Sequence, residues 1–216
     1  MTQKERQERS RKAILRAALE EFGRAGFDAV TMDSICAGHG ISKGMMYHYY
    51  PNKDGLFLAC VGEIFRSLHQ FLTDNREAVA QLPALEAVKQ YFLLRETFFR
   101  DCPEQKRVFE NALLSPPEHL EAQIRELRAP IKGENDRFLQ RVFDRIDVRE
   151  GVSREQAARY LSSAYTLFWP LLKHYREHTA DLDEMLKGSE EILDMMLFGI
   201  ADRAGAADGS RPGAGR

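Results

Sequence analysis

The segment 31–53 is rich in side chains that can hold a polyanion and touch base edges. Hydroxyl and cationic groups bind phosphate oxygens, whereas imidazole, lysine and apolar side chains suit base edges in a major groove. The residues of these types, with one glycine among them, are Thr31, Ser42, Lys43, Gly44, Met45, Tyr47, His48, Tyr49 and Lys53. This combination indicates nucleic-acid recognition.

Two short helices are needed to position these side chains. Thr31 is suited to cap a helix over 32–38, and Gly40 suits a left-handed turn after it. Ser42 is suited to cap a second helix over 43–50. Two short helices joined by a glycine-containing turn are typical of a helix-turn-helix.

The second of these helices is predicted to have one buried face and one free face. At about 100° per residue from Met46, Tyr50 lies at about 40° and His48 at about 200°. Met46 and Tyr50 therefore share the core face, and Gly44 and His48 lie opposite. Lys43 falls in the first turn, the end that helix-turn-helix proteins insert into the major groove.

The charge distribution agrees with a basic head on an acidic body. The chain has a net charge of −2. Residues 1–53 hold nine Lys and Arg against six Asp and Glu, a net +3, which leaves −5 for the remainder. The Lys- and Arg-rich arm before the first helix has two interpretations: it reaches phosphates or a minor groove, or it is a solvated, disordered tail.

Helical periodicity continues along the rest of the chain, and no strand pattern of useful length occurs. The predicted helices, besides the two short ones, cover residues 10–25, 53–75, 83–100, 103–114, 118–146, 153–178 and about 181–203. Pro130 is expected to kink its helix. The expected fold is all-α, with a three-helix DNA-binding domain over 1–53, a larger helical domain over 54–203 and a disordered tail over 204–216.

A resemblance to a known family strengthens this interpretation. The stretch TMDSICAGHGISKGMMYHYYPNKDGL from Thr31 resembles the N-terminal signature of TetR-type transcriptional regulators, and ILRAALEEFGRAGF from Ile14 resembles that family's first helix. The match covers about residues 10–60, with departures at His39, where a small residue is usual, and at Met46. The resemblance implies that phosphates are held by Thr31, Ser42, Tyr47, Tyr49 and Lys53, and that bases face Lys43, Gly44, Met45 and His48.

The resemblance also implies a homodimeric repressor that a small molecule releases from a palindromic operator. The apolar stripes of the last two helices suit a four-helix bundle shared by two chains, although they could instead bury only their own core. An apolar or aromatic effector is expected. The candidate lining residues, each of which could also be plain core, are Tyr91, Arg95, Phe98, Phe99, Phe109, Phe138, Tyr165, Trp169 and His174.

An enzyme or a metal protein is the competing class. His174 and His178 have a spacing that can hold a metal, but no acid or third histidine is paired with them. The histidines form no paired Glu-x-x-His motifs of a di-iron carboxylate protein, and no phosphate loop or nucleophile elbow occurs. We therefore predict no catalytic residues, no metal site and no cofactor.

The cysteines and the hydropathy of the sequence indicate the cellular compartment that we expect for the protein. Cys36, Cys60 and Cys102 are interpreted as small core residues, with redox activity as the alternative. The sequence has no apolar run of 18 residues and no secretory signal, so we expect a cytoplasmic protein without a membrane partner.

Overall fold

The computed structural model describes residues 2–161, 163, 187–188, 191–192 and 194–195. Within these residues the chain is helical without a β-strand, which confirms the all-α prediction. The helices are α1 (Gln3–Ala29), α2 (Met32–His39), α3 (Lys43–Tyr49), α4 (Lys53–Ala80), α5 (Ala84–Phe99), α6 (Pro103–Leu114), a 3-10 turn (Glu118–Leu120), α7 (Glu121–Phe143) and α8 over 154–161. The predicted tail over 204–216 and most of the chain after 161 lie outside the described residues.

Helix α1 begins seven residues earlier than the predicted start at Ser10. A capping box explains the difference, because the Glu5 amide donates to Thr2 Oγ1 at 3.2 Å and the Thr2 amide donates to Glu5 Oε2 at 2.8 Å. The interpretation of this arm as a disordered tail is therefore wrong. The predicted stop at Gly26 corresponds to a break in the helix, where φ is +80°.

The core of the first three helices is apolar and aromatic. Ile14, Ile35 and Met46 are fully buried, one from each helix. Phe22 meets the Phe57 ring of α4 edge-on, with centroids 5.1 Å apart. These residues pack α3 against α1 and α2 and join α1 to α4, and they leave the outer side of α3 free.

Residues 1–73 and 97–134 form one compact unit, here called the first unit. In it α1 packs against α6 with almost no space between the backbones. A Cβ added to Gly23 would lie 2.5 Å from the Glu104 carbonyl oxygen, so only glycine permits this approach. The proposed domain boundary at residue 53 stays a prediction.

Residues 74–96 and the described residues after 134 form the second unit. The end of α7 is tied to the turn after α4 by Arg145, which donates to the carbonyls of Ala80 and Leu82. Arg141 makes a two-pronged contact with Glu77 at 2.9 and 3.0 Å. Among the helices described, none is long and apolar enough to cross a membrane.

Candidate nucleic-acid interface

Helix α2 is closed at both ends by short-range hydrogen bonds. Thr31 Oγ1 accepts from the Ser34 amide and Ser34 Oγ accepts from the Thr31 amide, each at 3.0 Å. At the other end Gly40 adopts a left-handed conformation, with φ +63° and ψ +28°, and its amide donates to the Cys36 carbonyl. The predicted cap and the predicted left-handed turn are both confirmed.

Helix α3 has the two faces that its spacing predicts. Its cap is Ser42, whose hydroxyl accepts from the Met45 amide at 3.2 Å. Met46 is 0% exposed and Tyr50, the residue that ends the helix, is 7% exposed. The opposite face is open to solvent over Lys43, Gly44, Tyr47 and His48, while Met45 and Tyr49 are half-buried.

The exposed face of α3 combines open space with hydrogen-bonding groups. A Cβ added to Gly44 would meet nothing within 4 Å, so a partner can come close to the helix backbone there. Tyr47 is 47% exposed. The His48 ring stands edge-on to the Tyr49 ring with centroids 5.0 Å apart, which orients the imidazole. This face can approach base edges, as an inserted helix requires.

Lys43 is held by an acidic partner that sequence reasoning missed. Its ammonium donates to Asp33 Oδ2 of α2 at 2.7 Å, and the carboxylate raises the pKa of Lys43. Both side chains are exposed, and exposed ion pairs contribute little stability. A base or phosphate can therefore replace Asp33 at small cost.

Lys53 already has an intramolecular partner. Its ammonium donates to the Phe27 carbonyl at 2.9 Å and lies 4.2 Å from the centre of the Phe27 ring. Nearby, Asn52 Oδ1 accepts from the Gly55 amide at 2.8 Å and caps α4. A lysine has three N–H donors, so the contact with Phe27 orients Lys53 and still leaves donors for a phosphate.

His39, a departure from the family pattern, contacts α1. Its Nε2 lies 3.3 Å from Glu21 Oε1, and Arg24 donates to Glu21 Oε2 at 2.6 Å. Arg24 and then His39 lower the pKa of the Glu21 carboxyl against the opposing effect of burial. At this departure from the family pattern, a polar contact therefore joins α1 and α2.

A second contact that the sequence did not indicate links α1 to the end of α3. Arg11 Nε donates to the Tyr50 hydroxyl at 3.4 Å, which raises the pKa of Arg11. Tyr50 thus fills the core with its ring and presents its hydroxyl to α1. No local signal reveals this pair, because its members are 39 positions apart.

Residues 14–60, which contain this helix-turn-helix, match the model of the family described as "Bacterial regulatory proteins, tetR family". Over this segment the chain is similar to the tetR family of regulators. Its helix-turn-helix is the segment that carries the match, in agreement with the resemblance of residues 10–60.

The curated proteins to which the chain is similar are transcriptional regulators. The chain is 34% identical over 99 residues to the HTH-type transcriptional regulator RutR of Escherichia coli strain K12; the aligned part is 46% of this chain and 45% of RutR. The match thus spans less than half the length of the curated relatives. The curated relatives are transcriptional regulators, which supports the prediction of a regulator rather than an enzyme.

Solved structures extend the similarity of fold to most of the chain. SmeT, the repressor of the Stenotrophomonas maltophilia multidrug efflux pump SmeDEF, aligns with a TM-score of 0.63 and 22% identity, over 94% of this chain and 96% of SmeT. FadR from Bacillus subtilis, solved in complex with stearoyl-CoA, aligns with a TM-score of 0.65 and 17% identity, over 88% of this chain and 98% of FadR. At these identities the likeness concerns the fold.

In the second unit, the candidate effector residues Tyr91, Arg95 and Phe138 lie together. The Tyr91 and Phe138 rings stack with centroids 3.8 Å apart. Asn135 Oδ1 accepts from the Tyr91 hydroxyl at 3.0 Å and from the Arg95 guanidinium, which also donates to the Tyr91 carbonyl. Tyr91, Arg95 and Asn135 are each at most 1% exposed. Asn135 was missed because an asparagine inside a helix gives no sequence signal for such a contact.

The candidate residues Phe98, Phe99 and Phe109 belong to the first unit. Phe99 meets Phe98 at 4.8 Å and Phe109 at 4.9 Å between ring centroids. Phe65 of α4 completes this group with an edge-on contact to Phe109 at 5.9 Å. The nine candidates are thus divided between two clusters as far as they are described, and Tyr165, Trp169 and His174 lie outside the described residues.

The three cysteines and the predicted absence of a metal site can each be compared with the described residues. Cys36 and Cys60 are buried as expected, and burial raises the pKa of both thiols; Cys102 is half-buried just before α6. In the described part of the chain no three His, Cys, Asp or Glu side chains are grouped so that they could hold a metal. His174 and His178 lie outside that part.

Proposed function

We propose that this protein is a cytoplasmic, ligand-responsive repressor that binds a palindromic operator as a homodimer. The observation that supports this most directly is the exposed face of α3, which carries Lys43, Gly44 and His48. The opposite face of the helix is anchored in the core by Met46 and Tyr50. Thr31, Ser42, Tyr47, Tyr49 and Lys53 surround this face and are proposed to hold phosphates.

Site selection from a random DNA library tests base recognition. Wild-type protein is expected to select a palindrome whose half-sites are about one helical turn apart. His48→Ala should relax the preference at one position in each half-site, at a cost of about 1–3 kcal/mol for that base. Tyr47→Phe removes an exposed hydroxyl and should weaken all sequences alike. An unchanged site preference in His48→Ala would show that His48 does not face a base.

The homodimer is proposed to form through the last two helices, as their apolar stripes suggest. Leu193 and Met196 belong to the stripe of the last predicted helix. A charge at either position, as in Leu193→Glu, should shift sedimentation equilibrium from dimer to monomer. An intact dimer in both variants would mean that the interface lies elsewhere.

The effector is proposed to be a small molecule with an apolar or aromatic body and one polar group. The aromatic residues favour the body, and the buried Arg95–Asn135–Tyr91 cluster favours a group that exchanges hydrogen bonds. An effector that prefers the DNA-incompetent state by about 1–3 kcal/mol lowers operator affinity about 5–150-fold, and DNA lowers effector affinity by the same factor.

Intrinsic fluorescence identifies this effector and its site. Trp169 is the only tryptophan of the chain, so its emission reports one position. Aromatic, fatty and acidic small molecules are screened for release of the selected operator, and each active molecule is titrated while Trp169 emission is followed. An effector that leaves the emission unchanged and acts equally on Trp169→Phe and Asn135→Ala would refute this placement.

A further inference from the structure

A cleft lies in the first unit between the end of α1 and the segment that joins α6 to α7. Its volume is about 510 Å³, and small-molecule sites usually have about 300–1,000 Å³. One wall is formed by residues 25–29 and the other by residues 115–119, with Phe57 of α4 and Asn111 of α6 between them. All of these residues belong to the first unit, and none is an effector candidate named above. The cleft is thus a separate candidate site.

The wall formed by residues 115–119 is held in place by its own backbone. Pro116 and Pro117 restrict the torsion angles there. The Ser115 amide donates to the Asn111 carbonyl at 3.0 Å, and the Leu120 amide donates to the Pro117 carbonyl at 2.9 Å. A cleft that is formed in advance loses little freedom when a ligand binds.

The apolar part of the cleft is aromatic. The Phe27 and Phe57 rings meet edge-on with centroids 4.9 Å apart, and the His119 ring lies 5.9 Å from the Phe27 ring. Phe57 is 2% exposed, whereas Phe27 is half-buried and lines the cleft. Phe27 therefore offers ring surface on which a planar ligand can pack.

The polar part of the cleft is acidic. Asp28 and Glu118 are exposed, and their side chains, like that of Asn111, make no hydrogen bond or ion pair with any residue that the structure describes. None of the described lining residues is a lysine or an arginine. His119 lies 3.3 Å from Asp54 of α4, between Nε2 and Oδ1, so its nearest charged neighbour is also an acid. These groups favour a ligand that donates hydrogen bonds and carries positive charge.

We propose that this cleft binds a small organic cation with a planar apolar body, such as a protonated aromatic amine. The body packs on Phe27, the carboxylates of Asp28 and Glu118 attract the ammonium group, and the Asn111 amide oxygen accepts a hydrogen bond from it. Because both carboxylates are exposed, the preference for a cation is modest and decreases as salt rises.

The cleft adjoins a residue that is proposed to bind phosphate. Phe27 holds the ammonium of Lys53 through its carbonyl at 2.9 Å, and Asp28 is the next residue in the chain. The negative charge of Asp28 weakens the attraction of Lys53 for a phosphate, and a bound cation offsets that charge. A cation in the cleft should therefore raise operator affinity, by about fivefold, and the operator should raise cation affinity by the same factor. This consequence, unlike binding itself, rests on the proposed function.

The test uses naphthylmethylamine, which is protonated at neutral pH, and naphthylmethanol, its neutral counterpart with the same ring. Isothermal titration calorimetry gives the affinity of the full chain for each compound at low and high salt. The charge variant is D28N/E118Q. The matched control is D147N/E150Q, which removes the same two charges from exposed positions in the second unit. Circular dichroism and melting temperature establish that all three proteins are folded.

Wild type and D147N/E150Q should bind the amine about five- to tenfold more tightly than the alcohol at low salt, as two exposed ion pairs allow. D28N/E118Q should bind both compounds alike. The amine should raise the affinity of wild type for its selected operator. D28N/E118Q should have the higher operator affinity without the amine and should not respond to it.

Three results would contradict this proposal at different points. If wild type binds no amine, or D28N/E118Q keeps the preference for the amine over the alcohol, the site is refuted. If the amine binds as expected but leaves operator affinity unchanged, the link to Lys53 is refuted. If the amine binds as expected but wild type selects no operator, the proposed function fails and the site stands.

Discussion

The helix-turn-helix and the Tyr91–Arg95–Asn135 cluster are held together by interactions of different range. Each end of α2 and α3 is set by a residue three or four positions away, as when Ser42 accepts from Met45. The cluster instead depends on bonds between α5 and α7, over 40 and 44 positions. Local bonds give a recognition surface one fixed shape, whereas a cluster made by tertiary packing can change when a ligand competes for its partners.

The largest expected effect is the loss of the core residue that anchors α3. Met46→Ala should lower the free energy of unfolding by about 2–5 kcal/mol, because a fully buried side chain is replaced by a cavity. Met45→Ala, one position away and half-buried, is the control and should cost less than about 1 kcal/mol. Urea denaturation measures both. Equal losses would mean that α3 is not anchored by one face.

A smaller loss of stability is expected at the contact between α1 and α6, where Gly23 lies. Gly23→Ala places a methyl group 2.5 Å from the Glu104 carbonyl oxygen, so the helices must separate, at a cost of about 1–3 kcal/mol. Gly38→Ala is a suitable control, because its new Cβ would come no closer than 3.7 Å to Glu21. Thermal unfolding gives the difference between the two variants.

The Gly23 variant also tests how an effector signal reaches the head. Phe99 of α5 packs on Phe109 of α6, and α6 packs on α1 at Gly23. Both contacts lie within the first unit. If the proposed effector response needs them, the proposed effector should release DNA less from Gly23→Ala than from Gly38→Ala. Equal release from both variants would show that the signal travels by another route.

Loss of Asn135 from the Tyr91–Arg95–Asn135 cluster should lower the free energy of unfolding less than loss of Met46. Asn135→Ala removes an acceptor shared by the Tyr91 hydroxyl and the Arg95 guanidinium, with an expected loss of about 1–3 kcal/mol. Gln140→Ala changes an exposed amide on the same helix, whose partner is Asp144, and should cost less than about 0.5 kcal/mol. A loss no larger in Asn135→Ala than in Gln140→Ala would mean that the cluster stabilises nothing.

The range of the interactions also explains what the sequence could predict. The caps at Thr31 and Ser42 and the turn at Gly40 depend on near neighbours, and all three were predicted from the sequence. The start of α1 was missed, because the capping box at Thr2 precedes an unburied helix without apolar periodicity.

Long-range pairs left no pattern in the sequence. Lys43 and Asp33, Lys53 and Phe27, and the acceptor Asn135 meet only after the helices pack. The same limit applies to the effector residues, since aromatic spacing on a helix does not distinguish the two clusters to which Tyr91 and Phe99 belong.

The smallest expected effect concerns the polar contact of Glu21 with Arg24 and His39. Because the folded state lowers the pKa of the Glu21 carboxyl from its ordinary value of 4.5, folding favours the ionised form. The resulting stability is present above pH 4.5 and is lost as the pH falls through the lowered pKa. Glu21→Gln should therefore cost about 0.5–1.5 kcal/mol at pH 7, at the low end because Arg24 is exposed, and nothing below the lowered pKa.

The control for this prediction is Glu20→Gln, which removes the same charge from an exposed position one residue away. Urea denaturation between pH 3 and pH 7 gives the free energy of unfolding of wild type and both variants. The free energy of unfolding of Glu21→Gln should lie below that of wild type at pH 7 and approach it as the pH falls. Glu20→Gln should show no such change with pH. If the difference in free energy of unfolding between Glu21→Gln and wild type persists unchanged at low pH, Glu21 acts through packing. In that case even the helix-turn-helix region, whose contacts are mostly local, depends on a long-range contact that is not electrostatic.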